Sequence, residues 1–124
     1  MELTQDQRKY LRTQHLGRLA TVRPDGTPQN NPVGFRVDEE GRILIGGQNL
    51  RRSQKFKNVQ SFASVAFVVD DLKSTNPWHP RMVEIRGTAK ALDDVEPFGP
   101  GFSREQLRIT PTKVIAFGLD DEAA

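Results

Sequence analysis

Cysteine is absent from the 124 residues. Disulfides, thiolate nucleophiles and thiolate metal sites are thereby excluded, and the composition fits a reducing compartment. The two histidines, His15 and His79, are isolated. Neither has beside it the carboxylate or hydroxyl that a catalytic triad needs, and without cysteine no metal site is expected. Aromatic residues are few, with one Trp, one Tyr and seven Phe, which argues against a stacking surface for bases. A dominant charge is also lacking. The 18 Lys and Arg against 16 Asp and Glu leave a formal +2, and such a balance does not point to a nucleic acid partner. No apolar run approaches the roughly 18 residues of a membrane span. Residues 1–12 are too polar for the core of a signal peptide, so a cytoplasmic protein with no membrane partner is expected. The GxGxxG, Walker, GxSxG and HExxH motifs are all missing, which disfavours dinucleotide folds, P-loop enzymes and the common hydrolases.

What is present suffices for one domain, residues 1–124, with a thin core. Apolar residues make up 35%, and glycine brings the share to roughly 43%, slightly below the usual globular range. A small domain with so little apolar surface often finishes burying it against a second copy of itself, so a homodimer is expected.

Patterning along the chain predicts a mainly β fold. Thr4 with Gln7 forms a capping-box signature for a short helix whose Leu3, Tyr10 and Leu11 share a face. Leu16 to Val22 reads as a strand, and Arg23-Pro24-Asp25-Gly26 as a tight turn. In residues 28–37, Val33, Phe35 and Val37 alternate toward one face, while Pro28 and Pro32 lack amide donors and suggest an edge or a bulge. Residues 42–46 place Ile43 and Ile45 on one face. A helix is predicted over residues 50–59, with Asn49 as its cap. Residues 64–69 form a nearly continuous apolar run expected to be a central strand, residues 70–81 a loop, and residues 82–92 an alternating strand. A Pro/Gly-rich loop at 93–101, a helical turn at 103–107 and a last strand at 113–119 complete the chain. Asp120, Asp121 and Glu122 read as a solvated acidic end. Six strands with hairpin-length connections and no βαβ alternation favour an antiparallel barrel over a parallel sheet.

The most informative stretch is Gly46-Gly47-Gln48-Asn49-Leu50-Arg51-Arg52-Ser53-Gln54-Lys55-Phe56-Lys57-Asn58. Two glycines end a strand and a helix begins at once. With Asn49 as cap, Arg51 and Arg52 fall in the first helical turn, the wrong end for cations by about 0.3–1 kcal/mol each. An anion bound there reverses the sign, using free amides, the Ser53 hydroxyl and the basic side chains. The alternative is a solvated basic face. Trp78, the lone tryptophan, lies beside His79 and Arg81. It either stacks on a planar ring or fills the barrel mouth or a dimer seam. Arg86 reads as an ion-pair partner for Glu84 or a neighbouring strand.

These segments carry a family resemblance. Leu19-Ala20-Thr21-Val22, Pro24-Asp25-Gly26-Thr27-Pro28 and Pro32-Val33-Gly34-Phe35 resemble the opening strands of the pyridoxamine 5'-phosphate oxidase-like, flavin-binding split barrels. Lys55-x-x-Asn58, ahead of the apolar strand from Val65 to Val69, looks like their phosphate-binding helix. Gly46-Gly47-Gln48-Asn49-Leu50, Val68-Val69-Asp70-Asp71, Pro77-Trp78, Glu84-Ile85-Arg86-Gly87 and Ile109-Thr110-Pro111-Thr112 resemble the branch that uses the deazaflavin coenzyme F420. Residues 16–119 are covered. Gln60-Ser61-Phe62-Ala63 departs from the Arg- or Pro-containing stretch of many relatives, a difference that concerns the turn.

The resemblance implies a six-stranded split barrel, a homodimer, and cofactor sites at its interface. It places the cofactor phosphate on Ser53, Lys55, Lys57 and Arg52, the ring against Val33 and Gly34, and Gln48 and Asn49 near the ring or its ribityl chain. Trp78 and Arg81 of the partner subunit would form the far wall. Four cations within seven residues exceed the need of one phosphate monoester, which favours coenzyme F420, with its several negative charges, over FMN. The activity so implied is hydride transfer between reduced cofactor and a small unsaturated organic substrate, with no catalytic acid identifiable. An FMN-dependent enzyme, a non-enzymatic cofactor carrier and, more distantly, a nucleic-acid-binding barrel are the alternatives.

Overall fold

The computed structural model describes residues 2–119, so the acidic run at Asp120, Asp121 and Glu122 lies outside the described residues. Helix α1 (Gln5–Arg12) starts where the capping box places it. The Thr4 hydroxyl accepts from the Gln7 amide and the Gln7 side chain accepts from the Thr4 amide. Leu3, Tyr10 and Leu11 are buried beneath it.

Seven strands follow: β1 (Leu16–Val22), β2 (Pro28–Gly34), β3 (Arg36–Val37), β4 (Ile43–Ile45), β5 (Ser64–Thr75), β6 (Trp78–Leu92) and β7 (Gln106–Phe117). They form one antiparallel sheet in the order β2-β1-β5-β6-β7-β4-β3. The expected second strand, residues 28–37, divides at Phe35, which accounts for seven strands where six runs were predicted. β2 and β3 stand at opposite edges of the sheet, yet Phe35 alone separates them in sequence. A sheet whose two edges are joined through one residue has to curl, and this makes it a barrel. The Phe35 ring packs edge-on against Phe67, with centroids 5.1 Å apart. Because β2 is an edge strand, Pro28 and Pro32 are tolerated there.

Inward-facing residues alternate along each strand. Ile43, Ile45, Val69, Val83, Ile85, Leu107 and Ile109 are fully buried, each contributing about 1.5–3 kcal/mol through burial. Gly17 gives Phe67 its place, since a Cβ there would lie 2.3 Å from the ring.

Two expectations are corrected. Residues 70–81 are not a loop. β5 runs on to Thr75, and β6 begins at Trp78, with Asp71 opposite Arg81 and Leu72 opposite Pro80. Their polarity is matched across the hairpin, which periodicity along one strand does not show. Nor is there a helical turn at 103–107. β7 starts at Gln106, because Leu107 and Ile109 alternate into the core, and it runs through Pro111 at a register shift opposite Gly87. Among the described residues, no helix is long and apolar enough to cross a membrane, and no group of three or more His, Asp or Glu could hold a metal ion.

Candidate functional site

The segment after β4 breaks into two pieces. A 3₁₀ turn covers Leu50–Arg52, and helix α2 spans Gln54–Ser61. The predicted cap at Asn49 is therefore corrected: its side chain makes no capping bond. Ser53 caps α2, accepting from the Phe56 amide at 3.3 Å while donating to the Leu50 carbonyl at 2.6 Å. Burial decides the matter. Leu50 is pinned in the core, and Phe56 and Val59 can reach it only after the chain has turned again. The amides of Gln54 and Lys55, in the first turn of α2, make no hydrogen bond among the described residues. That turn contains no acid.

The cations of this segment are not equivalent. Arg51 is neutralised: its Nη2 donates to Asp93 at 3.0 Å, its Nε lies 3.9 Å from Glu105, and its guanidinium sits 5.9 Å from the Phe56 ring centroid. Arg52, Lys55 and Lys57 take part in no ion pair among the described residues. Lys55 and Lys57 are two residues apart on a helix, about 200° around its axis. Arg52 and Ser53 immediately precede α2 and Lys55 lies in its first turn, whereas Lys57 lies on another side of the helix. The Ser53 hydroxyl has one proton, already given to Leu50, so the donors left there are amides and cations.

Asn58, which the sequence placed in the phosphate-helix pattern with Lys55, has an anchoring role that the sequence did not show. It is fully buried and joins three elements. Its Nδ2 donates to Thr21 at 2.9 Å and to Gln29 at 3.1 Å, and its carbonyl accepts from Gln54 at 2.7 Å. This network anchors α2, and with it Lys55, to β1 and β2. The signal available in the sequence was a polar residue between the apolar Phe56 and Val59 on the inner face of a helix.

The remaining candidates are dispersed. Val33 is buried and faces the core, while Gly34 is exposed with nothing within 4 Å of where a Cβ would stand. Gln48 and Asn49 are exposed in the bend before the 3₁₀ turn. Trp78 is 69% exposed at the tip of the β5–β6 hairpin. Measured along β5, that tip lies roughly 36 Å from Ser64, beside which α2 ends. Trp78 and the end of α2 thus lie toward opposite ends of β5. Arg81 is committed to Asp71, with Nε and Nη2 at 2.9 and 2.6 Å from its two oxygens, and the Tyr10 hydroxyl donates to the same carboxylate at 2.9 Å. Those bonds from Arg81 hold the Asp71 carboxyl below its ordinary range, against burial, and burial with the Asp71 bond pushes the Tyr10 phenol up.

The outer face of the sheet carries a groove of about 560 Å³ whose apolar wall includes Val68, Leu72, Trp78, Met82 and Phe117. At its rim Arg18 pairs with Asp70. Leu72, Trp78 and Phe117 are large apolar side chains left exposed in this chain. Arg86 pairs with Glu84 at 2.9 Å, as expected.

Residues 3–116 match the family model described as Pyridoxamine 5'-phosphate oxidase. The chain belongs to that family. It is an oxidoreductase. A 5a,11a-dehydrotetracycline/5a,11a-dehydrooxytetracycline reductase from Streptomyces rimosus is 44% identical to this family member over 128 residues, covering 98% of this chain and 87% of the relative. A solved structure described as an F420 reductase is 28% identical, with a TM-score of 0.62, over 81% of this chain and 88% of its own. A conserved hypothetical protein from Mycobacterium tuberculosis shares the fold, with a TM-score of 0.76 at 17% identity over 98% of this chain and 89% of its own.

Proposed function

We propose that this protein is a coenzyme F420-dependent reductase, acting as a homodimer on a small unsaturated organic substrate. The observation that carries this reading is the start of α2. Among the described residues, Arg52 and Lys55 have no ion-pair partner and the amides of Gln54 and Lys55 no hydrogen-bond partner, with Lys57 further round the helix and no acid in the first turn. Helix polarity and charge there both favour a bound anion.

The fit to the cofactor is good in its donor set. Arg52 and Lys55, with the amides of Gln54 and Lys55, would hold the phosphate. Lys57, lying apart from Lys55, suits a second negative group more than the same phosphate, and this supports an extended polyanionic cofactor over the single phosphate of FMN. Gly34 offers open backbone on an edge strand for a flat ring, with the main chain of Val33 beside it. The side-chain amides of Gln48 and Asn49 have no hydrogen-bond partner among the described residues and are available to the ring or its polyol chain. When bound, the deazaflavin supplies a two-electron hydride donor, and the protein sets its orientation toward the substrate.

The exposed Leu72, Trp78 and Phe117 support a second copy packed on the outer face. The hairpin length supports a far wall formed by Trp78 of the partner subunit, with Arg81 of the partner subunit behind it. The reductase relative, named for a fused-ring substrate, supports an unsaturated cyclic acceptor.

Titration with F420 and with FMN, followed by fluorescence, tests the proposal. F420 is expected to bind at least tenfold more tightly. Tighter binding of FMN would replace F420 by FMN in this reading, and binding of neither would remove the cofactor site.

A further inference from the structure

The loop at residues 93–105 grips the segment that leads into α2. Ser103 does so three ways: its amide and its hydroxyl both donate to the Gly47 carbonyl, at 2.8 and 3.0 Å, and its Oγ accepts from the Leu50 amide at 3.2 Å. Glu105 accepts from the Arg51 amide at 3.3 Å, and Asp93 takes the Arg51 guanidinium. Over Gly46 lie Phe98 and Phe102, with centroids 5.6 Å apart, and a Cβ on Gly46 would stand 3.3 Å from an atom of each ring. Arg36 fixes Phe98, donating to its carbonyl at 3.0 Å and lying 4.4 Å from its ring centroid.

The first amides of a 3₁₀ turn have no partner within the turn. The loop takes up the Leu50 amide through Ser103, the Arg51 amide through Glu105 and the Arg51 guanidinium through Asp93. We propose that Ser103 is a positioning residue: it clips Gly47 to Leu50, fixes the 3₁₀ turn that leads into α2, and so holds Arg52, Lys55 and the first amides of α2 in place for the cofactor phosphate. The proposal rests on the cofactor reading above for its ligand, but the clip itself is a property of the unliganded chain.

The test separates the two. In the unliganded wild type, amide exchange of Leu50 and Arg51 is expected to be at least tenfold slower than that of Asn49. Equal exchange would overturn the clip with no variant needed. Ser103→Ala is expected to speed tryptic cleavage after Arg51 and Arg52 and to weaken F420 binding about five- to tenfold. Ser103→Thr, which keeps the hydroxyl, is expected to restore both. Arg104→Gln, in the same loop but paired with Asp94, is expected to change neither. Unchanged cleavage and affinity in Ser103→Ala, or an equal loss in Ser103→Thr or Arg104→Gln, would overturn the positioning role. If the wild type binds neither F420 nor FMN, the cofactor reading fails, and exchange and cleavage still decide the clip.

Discussion

The side-chain amide of Asn58 donates to the hydroxyl of Thr21 at 2.9 Å, inside the barrel. Both residues are buried, and Gln29 and Gln54 complete the network around Asn58. Asn58→Ala therefore leaves several polar groups without a partner at once and is expected to cost about 2–4 kcal/mol. Asn58→Asp is expected to cost more, because its charge would be buried among the neutral side chains of Thr21, Gln29 and Gln54. Urea unfolding measures both. A loss below about 0.5 kcal/mol for Asn58→Ala would show that the network contributes little.

The angular separation of Lys55 and Lys57 predicts unequal roles. Lys55 lies in the first turn of α2, where the amides of Gln54 and Lys55 have no partner among the described residues, so Lys55→Ala is expected to weaken cofactor binding by at least tenfold, the scale of a charge-assisted hydrogen bond of about 1.5–3 kcal/mol. Lys57→Ala is expected to weaken it less than about threefold and to act mainly through the salt dependence. Isothermal titration at two ionic strengths distinguishes them. Equal losses would mean that both side chains share one phosphate.

What was legible in the sequence was local. The capping box at Thr4 and Gln7, the alternation in β6 and the edge prolines of β2 each act within a few residues, and each is found in the fold. Asn49 and Ser53 are both good caps by residue type, and the choice fell to Ser53 because Leu50 is held in the core. The hairpin through residues 70–81 was not legible because its polar side chains find partners across strands, as Asp71 does in Arg81. The same holds for the candidate site. The run of cations was visible, but the neutralisation of Arg51 by Asp93 and Glu105 depends on residues more than forty positions away.

The Asp71–Arg81–Tyr10 cluster predicts how stability follows pH. The bonds from Arg81 place the folded pKa of Asp71 below that of the unfolded chain. Its contribution is complete above about pH 4 and is lost as the pH falls through the depressed folded value. Tyr10 is raised, by burial first and by Asp71 second, so its contribution is complete below about pH 10 and is lost as the pH rises through the folded value. Asp71→Asn is expected to flatten the acid limb and Tyr10→Phe the alkaline limb of a stability profile from urea unfolding. Acid limbs of equal slope in wild type and Asp71→Asn would rule out the depressed carboxyl.

The distance between Trp78 and Lys55 along the hairpin predicts how two lesions combine. If a site draws Lys55 from one subunit and Trp78 from the other, a mixed dimer of Lys55→Glu and Trp78→Ala chains holds one site with both lesions and one with none. Trp78 is mostly exposed in the single chain, so Trp78→Ala is expected to change the stability of that chain's fold by no more than about 0.5 kcal/mol, and size-exclusion chromatography checks that the mixed species is still a dimer. Each variant alone is expected to have impaired reductase activity. Co-expression with different affinity tags isolates the mixed species, and it is expected to recover up to half of the wild-type turnover. Were both residues drawn from the same chain, each site would carry one lesion and nothing would be recovered. Complementation thus reads the composition of the site directly: recovery places the hairpin tip over the partner's cofactor, and its absence returns Trp78 to the outer-face groove of its own chain.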